Sequence, residues 1–277
     1  MNMNFFESCL YGLFSGLAEF LPVSAEAHQL LLRQLFGVEG KLPLLNLFVH
    51  IGALLALLEC SKDYLRRLYR EYQLKKIPRR RRRRPSDAQS SADIALLKTA
   101  IIPLLLGFVL YAKSQNWQES AHIVAPLLFV NGIILYIPMY MPVGNKDARS
   151  MSPLDGLLFG LSCALGVLPG ISRVATVTAV SVARGAEPQQ GYRWSLLLCI
   201  PALLGVILFD IISLFTVGLS GIGVLGFIQF LISGITAFAG AYIGMTLIKS
   251  VLQKSGVFNF AYYCWGAAIL TFILYLI

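Results

Sequence analysis

The sequence reads Glu19-Phe-Leu-Pro-Val-Ser-Ala-Glu-Ala-His28 in the middle of one long apolar region and Leu168-Pro-Gly-Ile-Ser-Arg173 in the middle of another. Ionised side chains are costly in hydrocarbon, so they usually face a protein-lined cavity and mark a functional site. Proline and glycine end helices at these points and free backbone groups that need other partners. Two such breaks, one in each half of the chain, are typical of a membrane protein with internal repeats and a site near the midplane.

The composition supports a membrane setting. The 277 residues are 57% hydrophobic and 13% charged, which leaves too little polar surface for a soluble globule. Six apolar runs approach the ~20 residues that cross ~30 Å of hydrocarbon. These predicted transmembrane helices cover residues 42–60, 94–112, 123–141, 194–216, 222–248 and 258–277.

The two interrupted apolar regions cover residues 5–36 and 154–183. Each is predicted to form a re-entrant hairpin, in which two half-helices meet at a tip inside the membrane. The predicted fold class is therefore an all-α integral membrane protein with six transmembrane helices and two re-entrant helical hairpins. Residues 1–277 form one polytopic domain, with repeat one over about 1–141 and repeat two over about 154–277.

The net charge of +9 comes largely from one segment, residues 62–93, which includes six consecutive arginines from Arg79 to Arg84. In a soluble protein this run would indicate a nucleic-acid or nuclear-import patch. Directly after a transmembrane segment, retention in the cytoplasm against anionic lipid headgroups is the better interpretation. The sequence thus predicts a basic cytoplasmic loop over about 62–93 and no nucleic-acid partner.

That loop orients the whole chain. If it is cytoplasmic, the following spans and hairpin place Lys146, Arg149, Arg184, Arg193 and Lys249 on the same side, as the positive-inside rule requires. The layout is a hairpin plus three spans, repeated with opposite orientation. Inverted-topology repeats bring oppositely directed broken helices together near the midplane.

The second interruption has the chemistry of an oxyanion site. Arg173, the Ser172 hydroxyl and the free N–H groups of the following half-helix suit a phosphate group, and Thr176 and Thr178 follow closely. The first interruption supplies Glu19, Ser24, Glu26 and His28. A carboxylate beside a phosphate site is useful if it holds a divalent cation or takes a proton. The implied ligand is a phosphate or diphosphate on a lipid.

At this point the residues match a family. Glu19-Phe-Leu-Pro-Val-Ser24, with His28 four residues on, and Pro169-Gly-Ile-Ser-Arg173 resemble the two signature regions of the bacterial undecaprenyl-diphosphate phosphatases of the bacitracin-resistance type. Phe48-Val-His50-Ile-Gly52 is similar to the family's third stretch. The resemblance runs the length of the chain and implies the same arrangement of six spans and two hairpins.

The resemblance also implies an activity. The enzyme would remove the terminal phosphate of undecaprenyl diphosphate, with Mg or Ca required, on the outer side of the bacterial cytoplasmic membrane. The product, undecaprenyl phosphate, is the recycled lipid carrier of peptidoglycan synthesis in the cell wall, and its recovery confers bacitracin resistance. A site open to the outer face and a polyprenyl diphosphate partner follow from the same resemblance.

Some motif positions depart from the family's pattern. Ser15 stands where the family usually has an acid or amide, and Ala25 stands where it has a second serine proposed to act in the chemistry. Val174 and Ala175 replace serine and glycine after the retained Ser172-Arg173 pair. Our hypothesis is that Glu26, seven residues after Glu19, partly replaces the missing acid.

The predicted roles follow. Arg173 and Ser172 bind the transferred phosphoryl group, helped by Thr176 and Thr178; Glu19 holds the metal or acts as base; His28 moves protons or is the nucleophile. Ser24, His28 and water all stay open as nucleophile. The alternative functions are a polyprenyl-phosphate flippase and an inactive lipid-diphosphate-binding homologue, and the alternative structural roles are an Arg173–Glu19 ion pair and simple helix capping. Whether the chain forms a homodimer is also left open.

Overall fold

A computed structural model describes residues 3–38, 42–82, 85–114, 117, 120–142, 144–217, 223–253 and 256–276. These residues form ten α-helices and no β-strand. The helices are α1 Phe5–Phe20, α2 Ala25–Leu35, α3 Pro43–Lys76, α4 Ala88–Ser114, α5 Ala121–Tyr136, α6 Pro153–Leu165, α7 Arg173–Ala183, α8 Pro188–Val217, α9 Val224–Gln253 and α10 Phe260–Leu276. The predicted span ends Ile222 and Ile277, and Arg83 and Arg84 of the basic run, lie outside the described residues.

Six of these helices, α3, α4, α5, α8, α9 and α10, are long and apolar enough to cross a membrane. Each one overlaps a predicted span, so the prediction of an all-α membrane protein with six such helices is confirmed. Most of them extend beyond the apolar run that predicted them. Charged and polar residues with high helix propensity continue the backbone hydrogen bonds at their ends.

The predicted loop over 62–93 is the main correction to the fold. Helix α3 continues to Lys76 and α4 already begins at Ala88, so the non-helical connection is much shorter than expected. Hydropathy falls after Cys60, but Leu, Arg, Lys and Glu are all good helix formers. Surface pairs one turn apart, Lys62 with Glu59 and Arg66 with Asp63, accompany the helix through this basic stretch.

The two interrupted regions fold as pairs of short helices. Helices α1 and α2 have 16 and 11 residues and pack together; α6 and α7 have 13 and 11 and also pack together. At 1.5 Å per residue, three of the four reach no more than about 20 Å, too short to cross a membrane alone. The pairs thus have the form predicted for hairpins, while their return to one membrane face stays a prediction.

Local sequence explains where these short helices begin and end. Asn4 and Glu7 form a capping box at the start of α1, and Ser152 and Asp155 form one at the start of α6. Arg184, just after α7, pairs with Asp155 and so joins the open end of the second helix pair. At the other end of each pair, a turn region connects the two helices: residues 21–24 in the first pair and residues 166–172 in the second.

The packing of helices relates the two halves of the chain. The first helix of each half packs on the fourth helix of the other, α1 on α9 and α6 on α4, while α5 packs on α10 and α3 on α8. Exchange of the halves leaves these four pairings unchanged, as a two-fold relation between repeats would require. The inverted orientation of the repeats stays a prediction.

Glycines allow close approach of the backbones where α1 packs on α9. A methyl group at Gly16 would come within 2.0 Å of the Ala237 carbonyl oxygen, and one at Gly240 within 2.0 Å of that of Leu13. Small residues let helix backbones approach closely where van der Waals packing, not water exclusion, holds helices together. This interface fixes the end of α1, and therefore the first turn region, in the molecule.

Candidate active site

The two turn regions meet in the interior of the molecule. The N–H of Gly170 donates a hydrogen bond to the Ser24 hydroxyl oxygen at 3.2 Å, and the Ser172 hydroxyl donates to the Leu21 carbonyl at 3.3 Å. All four residues are buried. The predicted meeting of the two interrupted segments is therefore confirmed.

Asn131 of α5 joins both turn regions. Its Nδ2 donates to the Pro22 carbonyl at 3.0 Å, and its Oδ1 accepts the N–H of Ser172 at 2.8 Å. The side chain is completely buried. One amide thus satisfies two backbone groups that the helix breaks leave free, one on each side. Sequence reasoning missed this residue, although a lone amide inside an apolar span was a usable signal.

The central feature of the site is an ion pair between Arg173 and Glu19. Arg173 Nη2 donates to Glu19 Oε1, and each residue is only 5% exposed. Arg173 is the first residue of α7 and Glu19 lies one residue before the end of α1. Within the described residues, Nη1 of Arg173 is buried and has no hydrogen-bond partner. Part of the guanidinium therefore remains available to an anionic ligand.

Glu26 lies close to this pair. It is in the first turn of α2, it is half-buried, and it interacts electrostatically with Arg173, Glu19 and His50. Arg173 thus lies beside two carboxylates, of which that of Glu19 is buried and that of Glu26 is partly accessible to solvent. The position fits the hypothesis that Glu26 supplies an acid to the site, and its role stays a prediction.

His28 lies two residues further along α2 and is also half-buried. Its Nδ1 bonds to the Ser24 carbonyl at 2.8 Å and its Nε2 to the Tyr263 hydroxyl of α10 at 2.6 Å. A carbonyl can only accept, so Nδ1 carries the proton and Nε2 of the neutral ring accepts from Tyr263. The basic nitrogen of His28 is therefore occupied until Tyr263 releases it. Sequence reasoning did not identify Tyr263.

A second buried pair stands nearby. His50 of α3 and Asp210 of α8 approach to 2.6 Å, and both are buried. His50 also interacts electrostatically with Glu19 and Arg173. No local sequence pattern indicates a partner for Asp210, because His50 is 160 positions away and only the packing of α3 on α8 brings the two together.

The hydroxyl groups of the site differ in their hydrogen-bond partners. Ser172 accepts the N–H of Ala175 and so caps α7, while the Thr176 hydroxyl donates to carbonyls of its own helix. The Thr178 hydroxyl is buried and has no partner within the described residues. Ser24 has φ of 66°, a left-handed conformation that is uncommon outside glycine. Backbone strain of this kind concentrates at functional sites.

The carboxylates fit a divalent cation only in combination with a ligand. The described residues include no group of three or more His, Cys, Asp or Glu side chains that could hold a metal ion. Mg²⁺ often takes one or two protein carboxylates, and substrate phosphates and water complete its shell. Glu19 and Glu26 suit that mode, because both lie beside the arginine that a phosphate would contact.

Comparisons with known proteins agree over almost the whole chain. The model of the family described as Bacitracin resistance protein BacA matches residues 8–270. A protein from Methanobrevibacter smithii named undecaprenyl-diphosphatase is 29% identical over 278 residues, which covers 98% of each chain.

Other relatives give the same picture. A protein of the same name from Alkaliphilus metalliredigens is 27% identical over 98% of this chain and 100% of the relative. The undecaprenyl-diphosphatase 1 of Shouchella clausii is 27% identical over 98% of this chain and 96% of its own. The similarity thus includes both turn regions and all six long helices.

Proposed function

The chain belongs to the BacA family of bacitracin resistance proteins, and we propose that it hydrolyses undecaprenyl diphosphate to undecaprenyl phosphate and inorganic phosphate. It is a multi-pass membrane protein, so a substrate anchored in the bilayer can reach it without leaving the lipid. The reaction returns the lipid carrier to cell-wall synthesis and accounts for bacitracin resistance. The observation that carries the proposal is the buried Arg173, which lies where the two helix breaks meet and whose Nη1 has no hydrogen-bond partner among the described residues.

Binding of the diphosphate begins with competition at Arg173. Phosphate oxygens pair with arginine in a bidentate geometry, and the free Nη1 offers the first of these contacts. Full engagement of the guanidinium displaces Glu19 from Nη2. The site then contains a carboxylate released next to the terminal phosphoryl group, which is where a proton acceptor is needed.

The first turn of α7 adds positive electrostatic potential next to Arg173. Arg173 stands at the N-terminus of the helix, where free N–H groups and the positive end of the helix dipole favour an anion. These fixed groups neutralise the charge that spreads over the phosphoryl oxygens in the transition state. The proposed chemistry is in-line attack on the terminal phosphorus, with undecaprenyl phosphate as leaving group.

Three candidates for the nucleophile remain: Ser24, His28 and water. Ser24 accepts a hydrogen bond from Gly170, so its own proton is free to be removed. His28 would first have to exchange the Tyr263 hydroxyl for the substrate. Water requires only the carboxylate of Glu19 or Glu26 as base. A phosphorylated enzyme trapped by acid quench would select one of the side chains.

Mg or Ca is proposed as the cofactor, with Glu19 and Glu26 as its protein ligands. When bound, the cation supplies positive charge against the diphosphate oxygens. Glu19 and Glu26 would hold the ion beside Arg173, where the diphosphate is proposed to bind. We also propose that the site opens to the outer face of the bacterial cytoplasmic membrane.

The test is phosphate release from undecaprenyl diphosphate by the purified protein, with Mg and after chelation by EDTA, beside Arg173→Ala and Glu19→Ala. We expect each substitution to reduce the rate by about 10²- to 10³-fold, the usual effect of removing one charge-stabilising group. Wild-type protein that releases no phosphate under any of these conditions would overturn the proposal. Lipid movement across proteoliposomes in that case would favour the flippase.

A further inference from the structure

A second site with anion-binding chemistry lies away from the candidate active site. An open cavity of about 450 Å³ is bounded by the middle of α3, the start of α8 and the end of α9. Three cationic side chains line it, one from each helix: Arg67, Arg193 and Lys249. Three positive charges from separate elements converge on one volume, and no part of the proposed hydrolysis uses them.

Two of the three cations, Arg67 and Arg193, lie over the ring of Tyr64. The guanidinium carbons of Arg67 and Arg193 lie 5.5 and 5.2 Å from its centroid. The Tyr64 hydroxyl donates to buried Asp93 at 2.6 Å, which also accepts the indole N–H of Trp194 at 2.9 Å. The two arginines therefore stack on an anchored aromatic ring, which orders them before any ligand arrives.

The charge of the cavity favours a ligand with more than one negative charge. Asp63 also lines the cavity, but its carboxylate pairs with Arg66, outside the lining, at 3.4 Å. Asp93 interacts electrostatically with Arg193, but its carboxylate already accepts hydrogen bonds from Tyr64 and Trp194. Lys249 is exposed and makes no hydrogen bond or ion pair within the described residues. A phosphate monoester carries about −1.5 to −2 at neutral pH, which matches this excess.

The depth of the cavity points to a lipid. The apolar runs of all three helices end at its level, at Cys60 in α3, at Trp194 in α8 and at Ile248 in α9. Where the hydrocarbon ends on three neighbouring helices, lipid headgroups begin. Leucines 196, 197 and 252 give the cavity an apolar wall. If the cations bind the headgroup of a lipid, its acyl chain would lie along this wall.

We propose that this cavity binds the phosphomonoester headgroup of a membrane lipid, with Arg67, Arg193 and Lys249 as its ligands and with Tyr64 supporting the two arginines. The site is on the side of the membrane that carries the basic segment. It is independent of the proposed hydrolysis, since none of these residues belongs to the candidate active site.

The experiment titrates the full-length protein in detergent micelles and counts bound lipid by native mass spectrometry. The probes are dioleoyl phosphatidic acid, a phosphomonoester; dioleoyl phosphatidylcholine, a zwitterionic diester; and inorganic phosphate as competitor. The test variant is Arg193→Gln/Lys249→Gln. The matched control is Arg70→Gln/Arg80→Gln, which removes the same charge from exposed positions outside the cavity.

We expect phosphatidic acid to bind at least tenfold more tightly than phosphatidylcholine. The test variant should lose roughly 30-fold in affinity, since each basic residue near an anionic surface contributes roughly fivefold, and the control variant should change by less than about twofold. Equal losses in the two variants would show only general attraction to the basic segment and would overturn the proposal. Competition by equimolar inorganic phosphate would overturn the assignment to a lipid.

A single substitution guards against misfolding of the double variant. Lys249→Gln removes an exposed side chain without a hydrogen bond, so the protein should keep its melting temperature. We expect roughly fivefold weaker binding of phosphatidic acid from this change alone. Unchanged binding by a folded Lys249→Gln protein would contradict the proposal.

Discussion

At the scale of single residues, the central feature is a buried ion pair between apolar helices, where charged side chains are rare. Arg173 and Glu19 are each 5% exposed and compensate one another. Burial of both charges costs free energy that their attraction only partly returns, whereas loss of one partner leaves the other uncompensated. A pair of this kind is a poor way to gain stability. Its value is that an incoming phosphate can replace one partner.

This asymmetry gives a stability prediction. Arg173→Gln alone should lower the free energy of unfolding by about 3–5 kcal/mol, because it leaves Glu19 buried without its cation. The double variant Glu19→Gln/Arg173→Gln should regain most of that loss, since two amides can hydrogen-bond to each other. Thermal or denaturant unfolding in detergent measures both. Equal destabilisation by the single and double variants would mean that the pair is not the source of the effect.

Glu26 gives a second prediction at this scale. If it supplies the acid that Ser15 does not, Glu26→Ala should lower the rate of phosphate release and raise the Mg concentration needed for half-maximal rate. We expect a loss of about 10- to 100-fold, smaller than for a group in direct contact with the phosphoryl oxygens. Glu59→Ala, on the surface of α3, is the control for loss of one carboxylate. Unaltered turnover and metal dependence would remove Glu26 from the site.

At the scale of helices, close packing of α1 on α9 positions the first turn region. Gly240→Leu should destabilise the protein strongly, because a side chain there meets the Leu13 backbone, which cannot move aside. Gly266→Leu in α10 is the matched control, since nothing lies within 4 Å of a methyl group at that position. We expect the first variant to lose several degrees in melting temperature, and the control to lose none. Similar losses in both would contradict the packing described here.

Much of the helical architecture could be predicted from the sequence. Apolar run length gave the six long helices, and proline, glycine and charge gave the two helix breaks. The continuation of α3 to Lys76 could not be found from hydropathy, because charged residues extend a helix as well as apolar ones do. Asn131, Tyr263 and the His50–Asp210 pair were missed or unpartnered because their contacts join distant segments, which no local pattern encodes.

At the scale of the whole molecule, the predicted inverted arrangement of the halves implies which loops face which side. Cysteine substituted at Ser86, in the connection between α3 and α4, should be protected from a membrane-impermeant thiol reagent in intact cells. Cysteine at Ser120, before α5, should react. The reason is the positive charge that precedes Ser86, since loops rich in Lys and Arg are generally retained in the cytoplasm. Wild-type labelling gives the background of the five native cysteines, and the reverse pattern would refute the orientation.

The most direct test compares phosphate release by wild-type protein with release by folded Glu19→Gln/Arg173→Gln protein, using undecaprenyl diphosphate as substrate. The double variant keeps a buried hydrogen-bonded pair but removes both charges, so it separates chemistry from stability. We predict a loss of at least ~10³-fold with an unchanged elution profile and a melting temperature near that of the wild type. If this variant released phosphate at the wild-type rate, the diphosphate would not react where the two helix breaks meet.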